Sequence, residues 1–309
     1  MTNPAAPADA VPGNWVDRAP MRAQPYLRLM RADRPIGVWL LLIPCFWGLA
    51  LAASAGHGGA RLFWYAGLLA IGAYVMRGAG CAYNDIVDRD FDGRVERTAL
   101  RPIPSGQISL RQAWAFLIAL CLVGLLVLIQ FNTFAVFVGL ASLGLVAIYP
   151  FMKRITYWPQ AWLGLTFNWG ALVGYAAAAG ALSPGAVAIY AAGFFWTLGY
   201  DTIYAHQDKE DDVLIGVKST ALRLGAATPL WLAGFFATTL ALFAAAGLFS
   251  GASFVFFVAL APAAAHFVWQ IKKLDINDAH NCLMLFKSNR NAGLLLLLAP
   301  ICEVLAGML

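Results

Sequence analysis

Apolar runs long enough to cross a bilayer recur along the whole chain, and nothing else in the sequence restricts the fold so strongly. A helix needs about 20 apolar residues to span a hydrocarbon core of roughly 30 Å, and runs such as AWAFLIALCLVGLLVLIQF (113–131) supply them. Inside lipid every backbone polar group must be satisfied within the protein, so only helices or closed barrels cross. Barrel strands alternate polar and apolar residues over about 10 positions, whereas these runs are apolar all round. Only 12% of residues are charged and 61% are hydrophobic, against about 25% charged in an ordinary soluble domain. The mean hydropathy is +0.69. The sequence predicts an all-α integral membrane protein.

Nine spans are expected, at about 36–55, 62–83, 112–130, 133–150, 160–180, 184–205, 226–248, 252–271 and 290–308. Short cytoplasmic loops carry the excess of Lys and Arg, and the basic residues divide sharply. The N-terminal segment, the 84–111 loop and the loops at 151–159, 206–225 and 272–290 together hold 19 of the 21, leaving Arg61 on the other face and Arg77 within a span. This split supports the span count, a cytoplasmic N-terminus and a cytoplasmic working surface. It also explains the net charge of +5 without nucleic acid, because no recognition module accompanies the scattered basic residues.

Residues 1–25, rich in Ala and Pro, read as a flexible tail, and 26–309 as a single domain. The tail lacks the basic start, apolar core and small-residue site of a signal peptide. The five cysteines stand singly, mostly inside apolar runs, and are read as small hydrophobic packers. The four histidines have no paired spacing, which argues against zinc.

Against this background the stretch NDIVDRDFDGR (84–94) stands out. If the second span continues as a helix, Asn84, Asp88 and Asp92 share a face at i, i+4 and i+8, with Asp85 beside them and Asp90 pointing away. A second cluster, YDTIYAHQDKEDD (200–212), ends the sixth span, and the same arithmetic aligns Asp201, Tyr204, Asp208 and Asp212, with Lys209 outside. Both clusters end even-numbered spans on one side of the membrane, so a bundle can bring them face to face. Crowded carboxylates raise each other's pKa. A divalent cation removes the conflict, and hard oxygen ligands suit Mg2+ held partly by a phosphate. The plainer alternative is a pair of solvated helix ends balanced by nearby arginines.

The loops after each cluster share TALR, at 98–101 and 220–223, an offset that hints at two related halves. Lys153, Arg154 and Lys218 can reach an anion held by the metal, or, for the first two, anchor lipid headgroups. Arg77 lies seven residues before Asn84, two turns away and about 10 Å deeper. A permanent charge within a span faces a cavity or a partner. Arg77 either grips a ligand carboxylate or pairs with an acid such as Asp201.

The segments RADRPIG (31–37), NDIVDRDFDGRVERTALRPIPSG (84–106), YPFMKRITYWPQ (149–160) and YDTIYAHQDKEDDVLIGVKSTALR (200–223) resemble the UbiA-type family of membrane aromatic prenyltransferases over roughly 26–309. The resemblance implies a bundle of nine helices around a central cavity under a cytoplasmic cap. It implies Mg2+ held by Asn84, Asp85, Asp88, Asp92, Asp208 and Asp212, with Asp88, Asp208 and Arg77 as catalytic residues. Arg77, Lys153, Arg154, Tyr204 and Lys218 then bind substrate, and the ring faces of Tyr200 and Tyr204 shelter an allylic cation. The expected reaction joins the polyprenyl group of a polyprenyl diphosphate to the ring carbon ortho to the hydroxyl of 4-hydroxybenzoate, in ubiquinone biosynthesis. The expected place is a bacterial inner membrane. Another aromatic acceptor, a CDP-alcohol phosphotransferase and a cation-coupled transporter are the rival readings. The phosphotransferase lacks its further aspartates after Asp92. The transporter expects ionisable groups at the midplane rather than at one face.

Overall fold

The computed structural model describes residues 13–93, 96–207, 209, 213 and 216–308, and all regular elements among them are helical. The helices are α1 Gln24–Leu29, α2 Ile36–Ser54, α3 Arg61–Asp92, α4 Glu96–Ala99, α5 Leu110–Leu128, α6 Thr133–Ile155, α7 Pro159–Phe167 and α8 Trp169–Ala179. They continue with α9 Pro184–Ala205, α10 Thr220–Leu224, α11 Thr228–Phe249, α12 Phe254–Val258, α13 Ala261–Lys273 and α14 Ala279–Ala306. Among the described residues, seven helical stretches are long and apolar enough to cross a membrane.

Two expected spans are not among the seven, for different reasons. The 160–180 span is broken at Asn168, between α7 and α8. The Asn168 side chain is fully buried, and its Nδ2 donates to Gly164 O at 2.8 Å and to Thr197 Oγ1 at 2.7 Å. Non-helical backbone is tolerated at membrane depth where protein rather than lipid surrounds it. The other, α9, is the centre of its unit and packs against α7, α11 and α14. Its glycines allow close approach, with Gly193 backed by Asn168 and Gly199 by Phe236. A helix wrapped by protein does not need the hydropathy of one facing lipid. The expected 290–308 span is longer than foreseen, since α14 already begins at Ala279, where the Asp278 side chain accepts from His280 N and Asn281 N.

The helices sort into two compact units. The first comprises the described residues to 39 and 70–128. Its core joins Leu29, Ala79, Ala82, Ile86, Ile108, Ala113 and Leu117. Of the expected tail, 1–12 lies outside the described residues, while the part from 13 onward is tied down rather than flexible. Val16 is buried with Met30 and Ala32, Trp15 Nε1 donates to Ala32 O at 3.1 Å, and Arg28 pairs with Asp17 at 3.1 Å. Burial of Val16, with the Trp15 hydrogen bond and the Arg28 ion pair, accounts for this docking.

The second unit comprises 40–69 and 129–308. Trp47 sits at its core, 5.0 Å from Trp196 and 4.9 Å from Phe243 between ring centroids, with its Nε1 donating to Gly293 O at 2.9 Å. The close approach of α2 to α8 depends on small residues, because Gly48 meets Ala171 O and Gly174 meets Cys45 O with no room for a β-carbon. Cys45, Cys81 and Cys282 are buried free thiols, as expected of packing residues, although Cys121 is exposed.

Candidate functional site

The helix α3 runs unbroken from Arg61 to Asp92, about 48 Å at 1.5 Å per residue, and its part from residue 70 onward belongs to the first unit. It therefore extends past a roughly 30 Å hydrocarbon core, and the first aspartate motif occupies its last turns. Asp85 and Asp88 are fully buried, Asp92 is nearly so, and Asn84 is half-buried. Asp90 points outward and pairs with exposed Arg89 at 3.2 Å, which makes it the bystander expected from the helical register.

Nearby arginines balance these acids, as the plainer alternative expected, although the helix end is buried rather than solvated. Arg31 Nη2 donates to Asp85 Oδ1 at 2.8 Å, and Arg101 Nη1 reaches Asp92 Oδ2 at 2.8 Å and Asp85 Oδ1 at 3.5 Å. Thr98 Oγ1 donates to Asp92 O at 2.7 Å and holds the segment after α3 against the helix end. Burial pushes the Asp92 carboxyl above the usual carboxylate range, with Arg101 opposing. The arginines partly settle the repulsion that motivated the metal argument, yet Asp85 Oδ2 is buried with no hydrogen-bond partner. Leaving a buried acceptor unsatisfied is costly, so that oxygen is an open acceptor at the helix end. The available signal was the TALR repeat, whose first copy contains both Thr98 and Arg101.

Arg77 lies in the same unit, against the first turn of α2. A β-carbon on Gly37 would overlap its Nε and fall 2.8 Å from Nη2 and 3.0 Å from Cζ. Glycine in RADRPIG is thus what makes room for the guanidinium. Asp33, from the same segment, is buried, accepts from Arg34 Nη2 at 2.9 Å, and has an unpartnered Oδ1.

In the second unit the predicted basic contacts are brought together. Lys218 N donates to Lys153 O at 3.0 Å, and Lys218 Nζ donates to Ile155 O at 3.1 Å and lies 5.5 Å from the Tyr157 ring centroid. Buried Gln160 fastens the same two loops by accepting from Thr220 N at 3.2 Å, while Thr202 and Thr220 hydroxyls meet at 2.7 Å. Arg154 lies over the Phe151 ring at 5.8 Å.

The second motif is described only in part. The helix α9 ends at Ala205 and His206 and Gln207 form a turn, while Asp208 and Asp212 lie outside the described residues. Tyr204 is half-buried and its ring stands 4.5 Å from Phe286, a neighbour absent from the sequence reading. Tyr200 is a correction: it is 1% exposed and enclosed by Trp196 and Phe286, so its faces are spent on packing rather than offered to a ligand. Lys209, expected to stand outside, donates to Ile276 O at 2.9 Å and Asn277 Oδ1 at 2.7 Å. Buried His206 meets Thr228 Oγ1 at 2.9 Å.

These arrangements define a helical membrane protein with buried carboxylates gathered at one helix end. Residues 41–295 match the UbiA prenyltransferase family, and the chain belongs to it. That membership sets aside the phosphotransferase and transporter readings. The chain is 50% identical to the mitochondrial 4-hydroxybenzoate polyprenyltransferase of Homo sapiens over 92% of its own length and 76% of that protein. It is 47% identical to the Caenorhabditis elegans protein of the same name over 96% and 83%. Among solved structures, a UbiA homolog from Aeropyrum pernix K1 superposes with a TM-score of 0.65 at 29% identity, covering 87% of this chain and 98% of that one. A homolog from Archaeoglobus fulgidus bound to GPP and Mg2+ shares the fold, with a TM-score of 0.67 at 21% identity over 91% and 99%. The relatives are named mitochondrial, so the expectation of a bacterial inner membrane gains no support from them; an integral membrane location stands.

Proposed function

We propose that this chain is a Mg2+-dependent aromatic polyprenyltransferase of ubiquinone biosynthesis, joining the polyprenyl group of a polyprenyl diphosphate to 4-hydroxybenzoate at the ring carbon ortho to the hydroxyl. The observation that carries this reading is identity at about half of all positions, over more than nine-tenths of the chain, to proteins named for that activity.

Asn84, Asp85, Asp88 and Asp92 are assigned to the cation, with Asp208 and Asp212 as further ligands. The donor set fits, since all are hard oxygen ligands of the kind Mg2+ prefers, and the bare Asp85 Oδ2 offers a ready ligand atom. When bound, Mg2+ stabilises the negative charge that develops on the leaving diphosphate. Lys153, Arg154 and Lys218 are assigned to the diphosphate, and the backbone bond between Lys218 and Lys153 supports their joint action. Arg77 is assigned to the aromatic carboxylate, which a guanidinium fork grips bidentately, and so fixes the ring for attack, a proximity effect. The ring face of Tyr204 is assigned to the allylic cation.

The allylic carbon–oxygen bond breaks with both electrons leaving on diphosphate. A carbon–carbon bond forms at the ring carbon, and that carbon releases its proton to a motif carboxylate or to diphosphate, restoring aromaticity. The same reading takes 26–309 as one catalytic domain, counts α7–α8 and α9 as two further crossings, and places the basic loops as a cap on the cytoplasmic face. The charge asymmetry of the loops supports that orientation.

The test is to incubate membranes containing the protein with Mg2+, radiolabelled 4-hydroxybenzoate and a series of prenyl diphosphates. Lipid-extractable label is expected from the wild type and none from Asp88→Ala or Asp208→Ala. Full activity in either variant refutes the metal assignment.

A further inference from the structure

Arg31 occupies an unfavourable backbone position. Its φ is +59°, the one positive value at a non-glycine residue among those described. It stands just past the end of α1, where Ala32 N donates to Leu27 O at 2.9 Å and Arg31 N donates to Arg28 O at 3.0 Å. This is the pair of bonds that ends many helices, and glycine usually fills the left-handed position because it has no β-carbon. An arginine there needs a reason in its side chain.

That side chain is spent at both ends. Nη1 donates to Arg28 O at 3.1 Å, and Nη2 crosses to Asp85 Oδ1 at 2.8 Å. Asp85 is fully buried, and Arg31 and Arg101 both draw on the same oxygen. The other oxygen, Oδ2, is buried with no hydrogen-bond partner. The N-terminal segment does not need Arg31 for its docking on α3, since Leu29 is buried there with Ala79, Ala82 and Ile86.

We propose that Arg31 is a positioning residue for the metal end of α3: by clamping Oδ1 it fixes the Asp85 carboxylate and presents Oδ2 to a divalent cation. Resting on the metal reading of the first motif, the proposal adds a residue from outside both aspartate motifs. The strained arginine is retained because the fork reaches an oxygen that glycine cannot.

The experiment measures Mn2+ binding by electron paramagnetic resonance in the purified full-length protein, without substrate, so that turnover is not the readout. Arg31→Gly relieves the backbone and removes the guanidinium. Its unfolding temperature is expected to fall, because Asp85 loses one partner of a buried pair, while the Mn2+ affinity of the folded protein falls at least tenfold. Arg31→Lys keeps charge without the fork and is expected to lose less. The Arg31→Gly/Asp85→Asn double variant is expected to bind no more weakly than Asp85→Asn, because Arg31 acts through that carboxylate. Wild-type affinity in both Arg31 variants, or losses that add independently in the double variant, overturns the proposal. Asp88→Asn separates the two levels: wild-type Mn2+ binding there overturns the metal reading itself, whereas lost binding there beside intact binding in the Arg31 variants overturns only the positioning role.

Discussion

Arg101 Nη1 lies 2.8 Å from Asp92 Oδ2, so the arginine of the first TALR segment closes back on the last aspartate of the helix before it. Both side chains are largely buried, at 13% and 11% exposure. Removing one partner of a buried pair leaves an uncompensated charge, which costs about 3 kcal/mol. Arg101→Ala is therefore expected to lose about that much stability, read from unfolding in mixed micelles. Arg101→Lys should recover part of it, since the charge returns without the fork that also touches Asp85.

The division between what the sequence disclosed and what it hid follows from periodicity. Hydrophobic runs carry their own length, so α2, α3, α5, α6 and α11 were legible, and the i, i+4, i+8 spacing correctly put Asp90 outside and Asp85 and Asp88 inside. The Asn168 break was hidden because an asparagine in an apolar run looks like a tolerated polar residue until Thr197 is found opposite. Arg31 and Arg101 were counted only as loop charges, since ion pairs 54 and 16 residues apart have no local signature. The helix that carries Asp201 and Tyr204 ends at Ala205, and the register reading of Asp208 and Asp212 falls on residues outside those described.

Gly37 tests the seat of Arg77. A methyl group there would overlap the guanidinium, so Gly37→Ala should shift Arg77 with little effect on the end of α3. The expected kinetic result is a KM for 4-hydroxybenzoate raised about tenfold, worth about 1.4 kcal/mol, with the KM for the prenyl diphosphate unchanged. Parallel rises in both constants would remove Arg77 from the aromatic acid.

His206 gives the fold a pH dependence of predictable sign. Thr228 Oγ1 donates to Gly225 O at 2.8 Å, so its oxygen must accept from His206 Nε2, leaving Nδ1 as a buried lone pair with no partner. Burial, with Lys209 adding to it, lowers the imidazole pKa from 6.5 to about 4. Above pH 6.5 both folded and unfolded states are neutral and the group contributes nothing. As pH falls from about 6.5 to about 4 the unfolded state binds the proton first, and stability drops by roughly 3 kcal/mol. Unfolding temperatures across that window should show the fall in wild type and not in His206→Gln, which keeps a donor for Thr228 but cannot titrate.

Lys209 stands between the two acids of the second motif, yet its Nζ is committed to the α13–α14 connection, at 2.9 Å from Ile276 O and 2.7 Å from Asn277 Oδ1. The ammonium therefore tethers the motif segment rather than waiting for diphosphate. Hydrogen bonds to a charged group contribute about 1.5–3 kcal/mol, enough to hold Lys209 in place. Lys209→Met is expected to raise the Mg2+ concentration for half-maximal prenylation several-fold, because freely moving carboxylates must be ordered before they ligate. Asn277→Ala, which leaves the Ile276 carbonyl in place, should have a smaller effect. Combined with Lys209→Met it should add nothing, because both changes cut the same tether; an additive loss in the Mg2+ titration would show that Asn277 acts elsewhere.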